Sequence, residues 1–278
     1  MMNQLTALTE QKVQALEAEF LKQPQANCPV VHRFGPGIYI REVTIGADVF
    51  SIGHYQKTTH LNIMLAGRVS MVNEDGSHTE LVAPQTFVSG PGRKIGYIAE
   101  TMIWQNVYAT DETDIEKLEA MFLDKSITWQ ENHKNQQLLL NFDHSEDIAD
   151  YYKAIADCGF NHETVQAQVQ NLDDQCALPL GNYKMMVSQS FIEGKGVFAT
   201  GNIIKNEVIA PARINGLRTP AGRYTNHAKN PNAKMILLDN GNIDLVAIKD
   251  ISGCCGGDLG EEITIDYRQA VSLAIRRI

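Results

Sequence analysis

Three short stretches near the end of this 278-residue chain gather its chemistry-bearing side chains. The first is Glu193-Gly194-Lys195-Gly196-Val197-Phe198-Ala199-Thr200, two glycines one residue apart ahead of a β-type run. Glycines so placed let a backbone approach a ligand closely, although taken alone a tight turn is the simpler explanation. The second is Gly222-Arg223-Tyr224-Thr225-Asn226-His227-Ala228-Lys229-Asn230-Pro231-Asn232. It sets an amide and an imidazole side by side before an Asn-Pro-Asn turn, an arrangement that a capped polar loop also explains. The third, Gly260-Glu261-Glu262-Ile263-Thr264-Ile265-Asp266-Tyr267, alternates as a strand does and ends in a tyrosine. Nearer the start, His54, Gln56 and His60 form a thin set for a divalent metal, because neutral Gln is a poor ligand for such ions. Cys254 and Cys255 are adjacent in a glycine-rich loop, the wrong spacing for zinc.

In this order and spacing, the three stretches resemble the signature of SET-domain methyltransferases. That signature is a G-x-G turn, then R-(F/Y)-x-N-H-x-x-x-P-N, then G-E-E-(I/L)-x-x-D-Y. The resemblance runs from about Met185 to Gln269, with Ile209 to Arg213 where the family has a strand and turn. It implies S-adenosylmethionine (SAM) as cofactor, contacted by Gly194, Lys195, Gly196, Asn226 and His227. Arg223 and Tyr224 would flank the cofactor loop, and Tyr267 would line the channel where a substrate amine meets the methyl sulfonium. It also implies a pseudoknot of the loop with the final strand, which lets residues 40 positions apart share one site.

The chemistry suits those roles. Methyl transfer to an amine is an in-line displacement, so alignment and a dry channel supply most of the catalysis. A lysine amine, with a pKa of about 10.4 in water, must first lose its proton. A cationic sulfonium and an apolar channel both favour that loss. A tyrosine hydroxyl can orient the neutral amine without acting as a strong base. Two departures bear on the substrate. Ala228-Lys229 replaces the Ser-Cys of many members, and the 11 residues after Tyr267 hold no cysteine, so the zinc-binding segment of many histone methyltransferases is missing.

The region from His54 to Tyr97 is similar to a cupin barrel. His54, Gln56 and His60 fall at the first three ligand positions, Gly67 at a strand end and Pro91-Gly92 at a later turn. Ile95 stands where a cupin has its last histidine. The resemblance therefore implies a structural or oligomerising domain without catalysis or metal, in which His54 and His60 are polar residues at the barrel mouth. A cupin-like region joined to a SET domain also resembles small phage-encoded or phage-associated proteins.

These residues need elements to position them. Thr9 caps a helix over 9–22 with Val13, Leu16 and Phe20 on one face. Between Gly35 and about Thr110, short β-type runs separated by turns, including Asn73-Glu74-Asp75-Gly76, predict a small antiparallel barrel or jelly roll. Helical patterns follow at 113–123 and 145–158, the latter with Ile148, Tyr152 and Ile155 on one face. The Asn/Gln-rich stretch 124–145 reads as an irregular connection, and β texture returns from Met185 almost to the end. The fold class is mostly β, with a helix and cupin-like barrel over 1–125, a helical connector over 126–184 and a SET domain over 185–278.

Composition narrows the functions. With 44% hydrophobic and 21% charged residues the chain is neither disordered nor fibrous. No apolar run approaches the ~20 residues of a membrane span, and the first residues do not read as a secretion signal. A formal net charge of −9 argues against a nucleic-acid partner, and five cysteines fit a reduced, cytoplasmic setting better than a disulfide framework. The expectation is a SAM-dependent protein-lysine methyltransferase, a homo-oligomer through its N-terminal domain, with a protein substrate and neither nucleic-acid nor membrane partner. A phage-encoded version would act in the host cytoplasm or the virion. Two alternatives stand beside it: a non-catalytic virion or assembly component that reuses both folds as interaction modules, and a metal-dependent cupin enzyme.

Overall fold

The computed structural model describes residues 10–73, 75–140, 144–254 and 259–275. Thr9, Glu74 and Cys255, named above as a cap, a turn residue and half of a cysteine pair, lie outside them. The chain divides into two units: the first runs to residue 140, the second holds the described residues from 144 onward, and Thr113–Glu116 go with the second. Among the described residues no helix is long and apolar enough to cross a membrane. The chain is mostly β.

The first unit contains α1 (Glu10–Phe20), β1 (Val30–Gly35), β2 (Ile38–Ile45), β3 (Val49–Ile52), β4 (Tyr55–Gln56) and β5 (His60–Val72). It continues with β6 (His78–Val82), β7 (Gln85–Ser89), β8 (Ile95–Ala109), α2 (Ile115–Phe122, from Lys117 onward), β9 (Leu123–Asp124) and α3 (Ile127–Leu140). The main sheet is antiparallel in the order β1-β2-β8-β5-β6, with β3 also on β8 and β7 also on β5. Its described strands do not close into the barrel that the sequence suggested, since β1 and β6 do not pair with each other. Instead β5 and β8 are long enough to serve two half-sheets. The first part of β5 pairs with β7 and its last part with β6, while β8 pairs with β3 through its start and β2 through its end. The bend lies at Gly67, where the β5–β8 register shifts. Gly67 has φ +94°, and a Cβ there would collide with the carbonyls of Glu100 and Thr101. Gly67 thus does not end a strand; lacking a side chain, it lets one strand turn a corner. Met64, Val69, Ile98, Met102 and Trp104 fill the space between the half-sheets.

The Asn/Gln-rich stretch is not an irregular connection but largely α3. Residues 127–140 contain no Gly or Pro, and Ser126 Oγ accepts from Trp129 N at 3.1 Å as an N-cap. Polar composition there marks a solvated helix, not a loop.

The second unit contains α4 (Ser145–Asp157), α5 (His162–Gln170), β10 (Gly181–Tyr183), β11 (Met185–Gln189), β12 (Lys195–Ala199), β13 (Val208–Ile214) and β14 (Leu217–Arg218). It ends with α6 (Pro220–Tyr224), β15 (Asn226–His227), β16 (Ala233–Leu237), β17 (Ile243–Ala247), β18 (Glu262–Ile265) and α7 (Tyr267–Ile275). One small sheet runs β11-β12-β18-β15 and another β14-β13-β17-β16. β15 and β18 pair in parallel, Asn226 opposite Thr264 and His227 opposite Ile265. On α4 the buried face is Tyr151, Ala154 and Ile155, whereas Ile148 and Tyr152 are 38% and 51% exposed, a correction to the face expected above. The final strand stops before its tyrosine because Asp266 caps α7: its Oδ1 accepts from Arg268 N at 3.0 Å.

Candidate functional site

In the second unit the β11–β12 turn closes with a hydrogen bond from Ser190 N to Gly194 O at 2.9 Å. Gly194 sits at φ +51°. Gly196, the second glycine, serves close approach: a Cβ there would collide with the Glu262 carboxylate. Asn226 reaches the same spot from β15. Its Nδ2 donates to Glu193 O (3.1 Å), Lys195 O (3.2 Å) and Glu262 Oε1 (2.8 Å). Ser190 Oγ donates to the same carboxylate at 2.9 Å. Burial raises the Glu262 pKa, and the bonds from Asn226 and Ser190 oppose that rise. Among the described residues no donor reaches Asn226 Oδ1.

His227, adjacent on β15, is fully buried. Its Nδ1 accepts from Tyr267 N at 3.2 Å, so the ring proton sits on Nε2 and is donated to Asp150 Oδ2 at 3.0 Å. Arg268 holds both oxygens of Asp150 at 2.9 and 3.1 Å, and that hydrogen bonding, first of all, draws the Asp150 carboxyl down to about 2. The Tyr267 ring lies 5.3 Å from the His227 ring and 6.0 Å from Tyr151. Its hydroxyl donates to Thr225 O at 3.3 Å. Burial pushes the phenol well above its ordinary range, so it is a hydrogen-bond donor at neutral pH and not a base.

The structure thus joins Gly194, Gly196 and Asn226 in one cluster with Glu262, and joins His227 to Tyr267. The side chains of Lys195, Arg223 and Tyr224 make a second group. Lys195 Nζ pairs with Glu116 at 2.6 Å and lies 5.9 Å from the Tyr224 ring centre. The Arg223 guanidinium lies 5.3 Å from that ring and donates to Asn171 O at 3.0 Å. Sequence reasoning gave no role to Glu262, Ser190 or Asp150. Glu262 stood within a quoted stretch, so its alternation into the sheet was a usable signal. Asp150, 77 residues from His227, offered none.

The first unit holds a pocket of about 540 Å³. Val69, Met71, Ile98, Met102 and Trp104 make an apolar wall, and Arg41, His54, Gln56 and Lys94 contribute polar atoms. His54 lies edge-on to Trp129 at 4.8 Å, and burial lowers its pKa to about 3, which keeps it neutral. Gln56 Oε1 accepts from Tyr108 OH at 2.6 Å. His60 Nδ1 lies 2.9 Å from Thr58 O, and its Nε2 is 3.4 Å from Lys94 Nζ. Each candidate ligand position is thereby tied to a different partner. Among the described residues no three His, Cys, Asp or Glu side chains group closely enough to hold a metal ion.

No family model matches the chain, and no curated protein matches it. Among solved structures, the chain is similar to a cupin-2 domain protein from Shewanella frigidimarina. That match has 14% identity and TM-score 0.26, and covers 34% of this chain and 92% of that one. It is also similar to a cupin domain from Bordetella pertussis, with 8% identity and TM-score 0.26 over 32% of this chain and 98% of that one. The EutQ protein of Clostridium difficile aligns at 10% identity and TM-score 0.25, over 30% of this chain and 68% of that one.

Proposed function

We propose that the second unit is a SAM-dependent protein-lysine methyltransferase of the SET type. The observation that carries this reading is the meeting of three sequence stretches through one amide. Asn226 ties the backbone of Glu193 and Lys195 to the carboxylate of Glu262. These residues fit the cofactor. Gly196 lets the Glu262 carboxylate close against the turn, and Asn226 Oδ1 has no donor among the described residues, so it can accept from an ammonium. When bound, SAM supplies an electrophilic methyl group on a sulfonium. Gly194 to Gly196 and the Asn226-His227 backbone would hold it, with Lys195, Arg223 and Tyr224 flanking. His227, fixed by Asp150 on one side and Tyr267 N on the other, sets the position of the Tyr267 ring. The Tyr267 hydroxyl oxygen and the Thr225 carbonyl beside it would orient a neutral lysine amine by accepting its N–H hydrogens, which leaves the nitrogen lone pair free to attack the methyl group as the C–S bond breaks.

In this reading the substrate is a lysine on another protein, and the first unit is a cupin-like module that associates with a second copy. Val82 on β6 and Val88 on β7, 55% and 67% exposed, supply apolar surface for such pairing. The rival reading, a non-catalytic assembly component, is favoured by one observation: both His227 nitrogens and the Asn226 amide hydrogens are already used within the chain. Calorimetric titration of the full chain with SAM separates the two. Saturable binding that falls at least 5-fold in Asn226→Ala, about 1 kcal/mol, supports the enzyme. A chain that neither binds SAM nor labels any protein with its methyl group refutes it.

A further inference from the structure

The cavity of the first unit carries an ammonium group that its own walls do not neutralise. Lys94 is anchored by its backbone, whose carbonyl accepts from Gly53 N at 2.9 Å. Among the described residues the only hydrogen-bonding neighbour of its Nζ is His60 Nε2, at 3.4 Å. His60 donates its own proton from Nδ1 to Thr58 O, so it faces Lys94 as a neutral, weak acceptor. Burial alone draws the Lys94 pKa down to about 8, with no carboxylate offsetting it. The carboxylates in the cavity wall are engaged elsewhere. Glu17 is bound by buried Arg93, and Asp48 accepts from Tyr97 OH at 2.7 Å. The other cation of the wall, Arg41, has Glu119 at 3.6 Å, a carboxylate that Lys125 also holds at 2.6 Å. Facing the same space is the apolar surface of Val69, Met71, Ile98, Met102 and Trp104.

We propose that this cavity binds a small organic acid, its carboxylate paired with Lys94 Nζ and its hydrocarbon body against the Val69–Trp104 wall. A monoanion matches the Lys94 ammonium one for one, since no carboxylate among the described residues pairs with it. The volume, about 540 Å³, lies within the range of small-molecule sites, roughly 300–1,000 Å³. The apolar wall rewards chain length: about 0.8 kcal/mol for each buried methylene predicts a gain of about 4-fold per carbon.

The test uses the full-length chain with hexanoate, heptanoate and octanoate in titration calorimetry, and octanol as an uncharged control. Octanoate should bind saturably and more tightly than hexanoate. Lys94→Gln should weaken octanoate binding at least 10-fold while leaving octanol unchanged. Lys94→Arg, which keeps the charge, should hold octanoate within a few-fold of wild type, and circular dichroism of both variants should match the parent. Absence of octanoate binding at millimolar concentration would overturn the proposal. So would equal octanoate affinity in a folded Lys94→Gln chain.

Discussion

Replacing Tyr267 with Phe removes one oxygen and leaves the ring, which isolates the hydroxyl. The ring keeps its neighbours, His227 at 5.3 Å and Tyr151 at 6.0 Å, so the packing of α7 should survive. The lost hydrogen bond, to Thr225 O, is long at 3.3 Å. Its stability cost should therefore fall at the low end of the usual range, about 0.5 kcal/mol. A hydroxyl that aligns the amine only in the transfer step should count for more in rate than in stability. We expect SAM affinity within 2-fold of wild type and methyl transfer reduced 10-fold or more, equivalent to about 1.4 kcal/mol at the transition state. Because burial raises the Tyr267 pKa, the phenol stays protonated across the neutral range. Transfer in the parent should then rise with pH only as the substrate amine deprotonates. The assay is transfer of label from SAM to host-lysate proteins or basic peptides, run on both chains from pH 7 to 9.5. Equal rates in the two chains would refute the role given to the hydroxyl.

Gly196→Ala forces a methyl group against the Glu262 carboxylate and should lower stability by about 1–3 kcal/mol, measured by urea unfolding; an unchanged midpoint would mean that the strand can part from β18 at no cost. His32, fully buried, has its pKa lowered by burial to about 3, while the unfolded chain takes up that proton near 6.5. Its contribution is thus complete above pH 6.5 and lost as pH falls toward 3, at up to about 1.4 kcal/mol per pH unit. His32→Leu should flatten the pH dependence of the unfolding free energy by one proton over that window, and a slope identical to the parent's would count against the burial argument.

Elements whose signal is local were legible in the sequence. The helices at 10–20, 115–122 and 145–157 and the strands of the first unit fall where periodicity and turns place them. On the first helix, however, the buried residues are Val13 and Glu17, the latter held by Arg93, while Leu16 and Phe20 are only partly buried. Three features were not legible, each for a physical reason. Gly67 carries the same letter whether a strand ends or bends; the difference lies in the Glu100 and Thr101 carbonyls that approach it from another strand. α3 has so weak an apolar stripe that its polarity resembled a loop. On α4 the buried face turns on Tyr151, which lies near His162 and Tyr267, partners that spacing along one helix cannot reveal. At the candidate site, the adjacency of His227 and Tyr267 came from motif order. The Asp150–Arg268 support beneath it depends on a fold-level meeting of residues 118 apart.

The parallel pairing of β15 with β18 has a kinetic consequence. Only two residues on each strand meet, yet the Asn226–Glu262 bond closes a span of 36 residues. Closing such a loop costs about 3 kcal/mol of chain entropy before any contact forms, far more than so short a ladder returns. The two strands should therefore join after the β13–β17 and β16–β17 ladders have shortened the path between them. Substitutions in β18 should mainly accelerate unfolding and leave the folding rate nearly unchanged, so the cluster around Asn226 would be the last part of the unit to form and the first to open.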